Sequence, residues 1–250
     1  MTSTVRFAMV GLIVFAALLV VCLGSVAEEN AAPATRTWMA GVDATIYSDY
    51  IWRGLNKYDT SVAPSIYVHF PSFEVRATGI AETGGDRDLG EVDASFEYFF
   101  SLGPVDLSAG YMFYGYEDAL YSDTSEIFGK ASWMTGTPIV PSLELFWDID
   151  EADALYGRLG VAWIDHIERI NYRLLARIGA ATEGFNETYF FVSESGFTDF
   201  DIAFNMVIPV GEHVSFEPFV GVSVLLNSTV KDFVDDDTNA YVGGAIHLMF

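Results

Sequence analysis

Charged side chains fall at positions of one parity along short apolar segments of this chain. In a β-strand, residues two apart share one face, so these charges would point to the same side of a sheet. If the sheet closes, opposed stripes of carboxylates and cations would create a transverse field that orients polar solutes at a constriction. Alternatively, the charges pair and fill a narrow interior, because a buried charge needs a partner. The candidates are the cations Lys130, Arg158, Arg173 and Arg177 and the carboxylates Asp43, Asp49, Glu91, Asp93 and Glu97.

Residues for catalysis or cofactor binding form no recognisable pattern. A serine hydrolase needs a serine beside a histidine, and no serine stands out beside His69 or His247, two of the four histidines. No H-E-x-x-H, phosphate-loop or cysteine-based metal pattern occurs either. We therefore expect no catalytic, metal-binding or cofactor-binding residues. A lipid-modifying barrel enzyme is an alternative interpretation.

Acidic residues outnumber basic residues by 35 to 12, and the net charge is −23. Such a chain could not neutralise a run of phosphates, so a nucleic-acid partner is excluded. The 250 residues, 51% of them apolar and 15% aromatic, suit one large domain or two small ones.

The N-terminus has the pattern of a secretory signal peptide. Arg6 precedes an apolar run over residues 7–23, and Ser25 and Ala27 supply the small residues of a cleavage site. An uncleaved membrane anchor is the alternative, since the run approaches the length of a short span. Cleavage after Ala27 would remove Cys22, the only cysteine. We expect residues 28–37 to form a short polar lead-in and residues 38–250 to form one domain.

Alternating apolar and polar residues predict a chain of β-strands. Most segments are near the length of about 9–11 residues that a tilted strand needs to cross a bilayer. The prediction is an all-β, transmembrane antiparallel barrel of about twelve strands, with ten or fourteen possible because residues 188–192 also have β-like character. The segments are 38–50, 61–70, 73–82, 90–101, 104–116, 125–135, 139–149, 154–164, 169–181, 198–209, 213–226 and 239–250.

The connections and the aromatic residues favour an outer-membrane barrel over a soluble sandwich or lipocalin. Short turns alternate with long loops, which is the plan of such barrels, with the short turns in the periplasm. Aromatic residues at both ends of the apolar face suit the two membrane interfaces. Those at the turn end are Trp38, Phe70, Phe73, Tyr98, Phe100, Trp133, Trp163, Tyr172 and Phe250, and those at the loop end are Tyr50, Trp52, Phe113 and Trp147.

The last strand carries a candidate assembly signal. In YVGGAIHLMF, Ile246, Leu248 and Phe250 share the apolar face, while Tyr241 and Gly243 belong to the more mixed face. The pattern resembles the C-terminal signal by which outer-membrane proteins are recognised for insertion. We expect Phe250 to face lipid and this strand to pair with the first, because a closed barrel leaves no edge in the membrane.

The stretch ATIYSDYIWRGLNKYD, residues 44–59, resembles the opening of the TorF-type porin family of outer-membrane barrels. The motif residues are Ser48, Asp49, Tyr50, Arg53 and Gly54. The resemblance implies a barrel and a channel but no substrate, and it departs from the family where Leu55-Asn56 replaces a polar Ser-Gln pair. Gly54 permits a sharp turn. We expect Arg53 to pair with Asp49 or to reach anionic lipid headgroups, or the motif to serve folding alone.

These observations predict a passive channel for small polar or charged solutes in a bacterial outer membrane. The expected partners are outer-membrane lipids, lipopolysaccharide, the assembly machinery and small solutes. A closed structural or adhesion barrel that uses its acidic outer loops is the alternative. Those loops contain Glu183, Glu187, Glu194 and residues 235–237, which we expect to be solvated rather than to bind divalent cations.

Overall fold

The computed structural model describes residues 37–83, 90–117, 121–234 and 236–250. The predicted signal peptide, residues 28–36 of the lead-in and Asp235 of the acidic loop lie outside the described residues.

Twelve strands close into one antiparallel barrel, in agreement with the predicted number. Neighbours in sequence are neighbours in the barrel, and β1 pairs with both β14 and β4. A short hairpin, β2 and β3, forms a separate two-stranded sheet. The strands are β1 (Met39–Tyr47), β2 (Tyr50–Trp52), β3 (Leu55–Tyr58), β4 (Ser61–Phe70), β5 (Phe73–Glu82), β6 (Glu91–Leu102), β7 (Val105–Tyr116), β8 (Thr124–Trp133), β9 (Ile139–Asp148), β10 (Ala154–Ile167), β11 (Ile170–Ala181), β12 (Gly196–Pro209), β13 (Val214–Leu225) and β14 (Thr238–Met249).

The barrel wall has an apolar outside and a polar inside. Leu145, Val220 and Ile246 on three different strands are each about half exposed on the outside of the barrel. Exposing such apolar side chains to water would be unfavourable. Carboxylates and cations occupy the alternate positions and pair between neighbouring strands on the inside, as Arg177 does with Asp201. An apolar belt around a polar interior is the arrangement of a barrel whose solvent is lipid. None of the helices in the described ranges is long and apolar enough to span a bilayer.

Short turns join the strands at one end, and longer connections join most of them at the other; the link between β9 and β10 at the loop end is as short as the turn between β8 and β9. The loop end carries two helices, α1 (Glu183–Phe190) and α2 (Ser228–Lys231). The β-like interpretation of residues 188–192 was wrong, since most of this run lies in or beside α1. Phe185 and Tyr189 are four residues apart and both buried. Residues at this spacing share one face of a helix, so the spacing favours a helix over a strand here.

The C-terminal strand closes the barrel as expected. The Phe250 amide donates to the Ala40 carbonyl at 2.9 Å, and the Phe250 side chain is 59% exposed on the outside. Ile246 and Leu248 share that outer face. Gly243 is on the inner face, where Phe219 of β13 lies directly over it.

Candidate functional site

The connection between β1 and β4 folds into the barrel instead of leaving the membrane. We call β2, β3 and their turn, residues 50–58, the inner hairpin. Its tip reaches β8, because Arg53 bonds Glu126, and β8 lies far around the barrel from β1. At its base, the Ser48 amide donates to the Val242 carbonyl at 2.8 Å. The inner hairpin therefore crosses the lumen at the loop end.

The tip of the inner hairpin is a two-residue turn with positive φ at both positions. Trp52 is paired with Leu55, and between them Arg53 has φ 51° and Gly54 φ 87°, which is the geometry of a type I′ turn. A Cβ on Gly54 would lie 2.7 Å from Leu225 and 2.8 Å from Asp199. Gly54 therefore serves both the turn and the close approach to the wall.

Arg53 makes a two-pronged ion pair with Glu126. Arg53 Nη1 and Nη2 donate to Glu126 Oε1 and Oε2 at 2.6 and 2.7 Å, and the Tyr114 hydroxyl donates to Oε2 at 2.9 Å. The two charged side chains are 4% and 0% exposed. Burial, the largest single effect, would lower the pKa of the Arg53 guanidinium, but the charge and hydrogen bonds of Glu126 together with the nearby tyrosines raise that pKa above its ordinary value. The guanidinium of Arg53 therefore stays charged in the folded protein.

Aromatic rings enclose the same guanidinium. An aromatic ring within about 6 Å of a cation attracts it through the negative face of the ring, and the attraction grows when water is excluded. Only one of these rings belongs to the inner hairpin, and the others come from the wall and from α1. The rings and the distances from their centroids to Arg53 Cζ are Trp52 at 4.5 Å, Phe146 at 4.4 Å, Tyr156 at 4.6 Å and Phe185 at 5.4 Å.

Lys57, the second cation of the inner hairpin, has an analogous site. It is the extra residue of a bulge between Tyr58 and Asn56, an irregularity that re-aims a side chain. Lys57 Nζ donates to both Glu91 oxygens, at 3.0 and 2.8 Å, and to the Tyr116 hydroxyl at 3.1 Å. The Lys57 and Glu91 side chains are 2% and 0% exposed.

Apolar packing completes the closure of the loop end. Phe185 and Tyr189 of α1, Leu225 of β13 and Val230 of α2 form one buried cluster with Tyr156. The Tyr189 hydroxyl also donates to Asp148 Oδ2 at 2.7 Å, and burial, reinforced by the Asp148 charge, raises the pKa of that phenol. This end of the lumen is thus a packed core rather than an aqueous passage.

The turn end of the lumen is open by comparison. A cavity of about 480 Å³ lies there, bordered by Glu97, Ser108, Lys130 and Ser132. Lys130 Nζ donates to Glu97 at 3.0 Å, and their side chains are 36% and 22% exposed. We call this cavity the inner vestibule.

The charges predicted for a constriction lie inside the barrel and bond mainly to nearby wall strands. Arg158 bonds Glu144, and Arg177 bonds Asp201 at 2.6 Å. Arg173 donates to the Asn205 amide oxygen at 3.2 Å. These contacts are local, and no cation of the predicted basic set bonds a carboxylate on the opposite wall in the part of the chain that the structure describes.

The predicted acidic set divides between the two ends. Glu91 bonds Lys57 of the inner hairpin, and Asp43 accepts from Arg76 at 2.6 Å and contacts His247 at 2.8 Å. Asp93 shares the inward face of β6 with Glu91 and Glu97. Asp49 is partly buried at the bend before β2.

Two expectations about the motif at residues 48–54 were wrong. Arg53 bonds neither Asp49 nor lipid headgroups, because the inner hairpin carries it across the lumen to Glu126. Tyr50 and Trp52 do not belong to an aromatic belt in lipid; Tyr50 packs on Tyr47 with centroids 5.3 Å apart, and Trp52 stacks on Phe185.

The ring-and-carboxylate site was not predicted from the sequence, although a signal for it exists. Phe128, Phe146 and Tyr156 occupy the same parity as the lumen charges. Large aromatic side chains at that parity are out of place in an aqueous lumen, so they indicate a packed interior.

Comparisons with known proteins support the fold. No family model matches the chain, and no curated protein matches it. Among solved structures, it resembles the KdgM porin in complex with disordered oligogalacturonate, with 6% identity and a TM-score of 0.53 over 85% of this chain and 99% of that one. It also resembles the NanC porin, with 10% identity and a TM-score of 0.52 over 84% of this chain and 98% of that one. The chain therefore has the fold of a porin-type outer-membrane β-barrel.

Proposed function

We propose that this protein is a passive outer-membrane channel for small polar or charged solutes, and that the inner hairpin closes its outer end. The observation that carries the proposal is that β2 and β3 form a sheet separate from the barrel. The inner hairpin is held by side-chain contacts rather than by strand pairing with the wall, so it can leave the lumen without breaking the barrel ladder.

The barrel wall supplies the rest of a channel. The inner vestibule already gives water access from the turn end, and polar side chains continue along the wall. In the open barrel, the predicted constriction charges would set the ion preference, because they line the inside of the wall. Arg173 is the most informative of these, since it donates to a neutral amide rather than to a carboxylate.

The remaining features of the proposal rest on the sequence. The motif at residues 48–54 supports a relationship to the TorF-type porins, and residues 1–27 support export by a cleaved signal peptide. We propose lipids, lipopolysaccharide and the assembly machinery as partners of the outer face and of the C-terminal strand.

A closed structural barrel is the second candidate, favoured by the complete burial of the Arg53–Glu126 pair. An enzymatic role has less support. Both ring nitrogens of His247 contact carboxylates, Asp43 at 2.8 Å and Glu217 at 3.2 Å, which is a structural pairing rather than the activation of a nucleophile.

Conductance in planar bilayers distinguishes the channel from the closed barrel. Tyr47 and Ser61 are paired directly, so a two-residue Asn-Gly turn can replace residues 48–60; we call this protein the shortened variant. We expect sustained current steps from the shortened variant and only rare, brief openings from the unaltered protein. If the shortened variant folds but gives no steps across a range of salt and voltage, the channel proposal fails.

A further inference from the structure

We propose that the pocket filled by the Arg53 side chain is a binding site for small organic cations that carry a guanidinium group, with Arg53 as its tethered occupant. We call Glu126, Phe146, Tyr156 and Phe185 the cation cage. The inference rests on the proposed function, because it identifies the cage as a solute site on the route that the inner hairpin blocks.

The cation cage belongs to the wall and to α1, not to the inner hairpin. Its four residues lie on β8, β9, β10 and α1. Glu126 is further held by the Tyr114 hydroxyl, and the Phe185 ring packs at a tilt against Tyr156 with centroids 5.2 Å apart. The geometry of the cage is therefore fixed by contacts that remain when the Arg53 side chain is absent.

The chemistry of the cage selects a planar cation. Both Glu126 oxygens accept from one guanidinium, at 2.6 and 2.7 Å, a paired geometry that an ammonium group cannot reproduce. The surrounding rings add attraction for a positive charge from the remaining directions. Because Glu126 is 0% exposed, an empty cage would hold a buried carboxylate without a countercharge, and a cation would satisfy it.

The second cation of the inner hairpin supports the same interpretation. Lys57 occupies a site of similar composition, with Glu91 as the carboxylate and Tyr116, Trp52 and Tyr121 as rings 4.4, 4.9 and 5.9 Å away. Both cations of the inner hairpin thus bind a wall carboxylate and contact several aromatic rings. The excess of 35 acidic over 12 basic residues also raises the local concentration of cations around the barrel.

The test is equilibrium binding of methylguanidinium to the folded, full-length Arg53→Ala protein in detergent, measured by calorimetry. The turn requires a positive φ at residue 53, where alanine is strained. Arg53→Gly is therefore used in parallel, because glycine adopts that conformation without strain. We expect both variants to bind methylguanidinium with a millimolar dissociation constant. Binding to Arg53→Ala/Glu126→Gln should be at least about tenfold weaker, since the charge-assisted hydrogen bonds to Glu126 are lost.

The controls separate the cage from non-specific effects. The unaltered protein is expected to bind at least about tenfold more weakly, because Arg53 occupies the cage at a high effective concentration. Methylammonium and tetramethylammonium are expected to bind more weakly than methylguanidinium. Equal binding to the unaltered protein, the two single variants and the double variant would overturn the proposal, as would failure of methylguanidinium to bind either single variant.

This experiment is independent of current through the barrel. Binding to Arg53→Ala together with a shortened variant that never conducts would support the cage and overturn the channel. A conducting shortened variant together with no methylguanidinium binding would overturn the cage and support the channel.

Discussion

Replacing Arg53 with alanine should release the inner hairpin from the lumen. The change leaves Glu126 buried and without its countercharge, and breaking a buried ion pair in this way costs about 3–5 kcal/mol. The tip also loses its contacts with the rings of Phe146 and Tyr156. We therefore expect hydrogen exchange at the amides of residues 50–58 to become faster by about a hundredfold or more, which is the change that this free-energy cost corresponds to. Hydrogen exchange followed by mass spectrometry measures this directly.

Arg158→Ala is the matched control for that prediction. Arg158 also bonds a carboxylate inside the barrel, but its side chain and that of Glu144 are 19% and 17% exposed. Water can hydrate Glu144 after the change, so the loss of stability should be much smaller. If hydrogen exchange at residues 50–58 changes only slightly in both Arg53→Ala and Arg158→Ala, the Arg53–Glu126 ion pair does not hold the inner hairpin in place.

Gly243→Ala should weaken the seam where the barrel closes. A Cβ at this position would lie 2.2 Å from Phe219 Cζ and 2.3 Å from the Ile46 carbonyl oxygen. The ring can turn away, but the carbonyl belongs to β1 and can move only if the β1–β14 pairing opens. Overpacking of this kind typically costs about 1–3 kcal/mol. We expect a smaller folded fraction in refolding assays that compare the mobility of unheated and boiled protein on gels.

The neighbouring Gly244→Ala provides the comparison. Its Cβ would face the outer side, where the nearest atom is Phe216 Cε2 at 3.1 Å. Phe216 is 41% exposed, so it can shift without disturbing the backbone, and the folded fraction should change little. A Gly244→Ala protein that folds as poorly as Gly243→Ala would mean that the residues matter for strand propensity rather than for the close approach to Ile46.

The sequence was sufficient to predict the barrel because each strand carries its own signal. Alternation at period two separates an apolar face from a charged face, as between Leu145 and Glu144, without any knowledge of neighbouring strands. Strand length and the alternation of short and long connections then indicated a membrane barrel. At the loop end, the main element that was not predicted is α1. Its buried residues Phe185 and Tyr189 pack inside the lumen, and the periodicity of the sequence does not reveal that packing.

The site could be predicted only in part, for a different physical reason. The charged parity of the strands indicated that these residues share one face, but partner choice depends on three-dimensional distance. Arg53 and Glu126 are separated by 73 positions in sequence, and their contact exists only because the inner hairpin turns into the barrel. The motif around Arg53-Gly54 correctly indicated a turn, while its direction depended on contacts with β8 to β13 that no local pattern encodes.

Access to the inner vestibule from outside the cell tests the central claim most directly. Cys22 is the only cysteine, so Ser132→Cys places a single thiol among residues 28–250, in the wall of the inner vestibule. We would treat intact cells whose other general porins have been deleted with a membrane-impermeant thiol reagent small enough to pass through an open barrel. The structure predicts slow modification in the full-length protein and rapid modification when the shortened variant carries the same cysteine. Equally rapid modification of both proteins would contradict closure of the outer end by the inner hairpin.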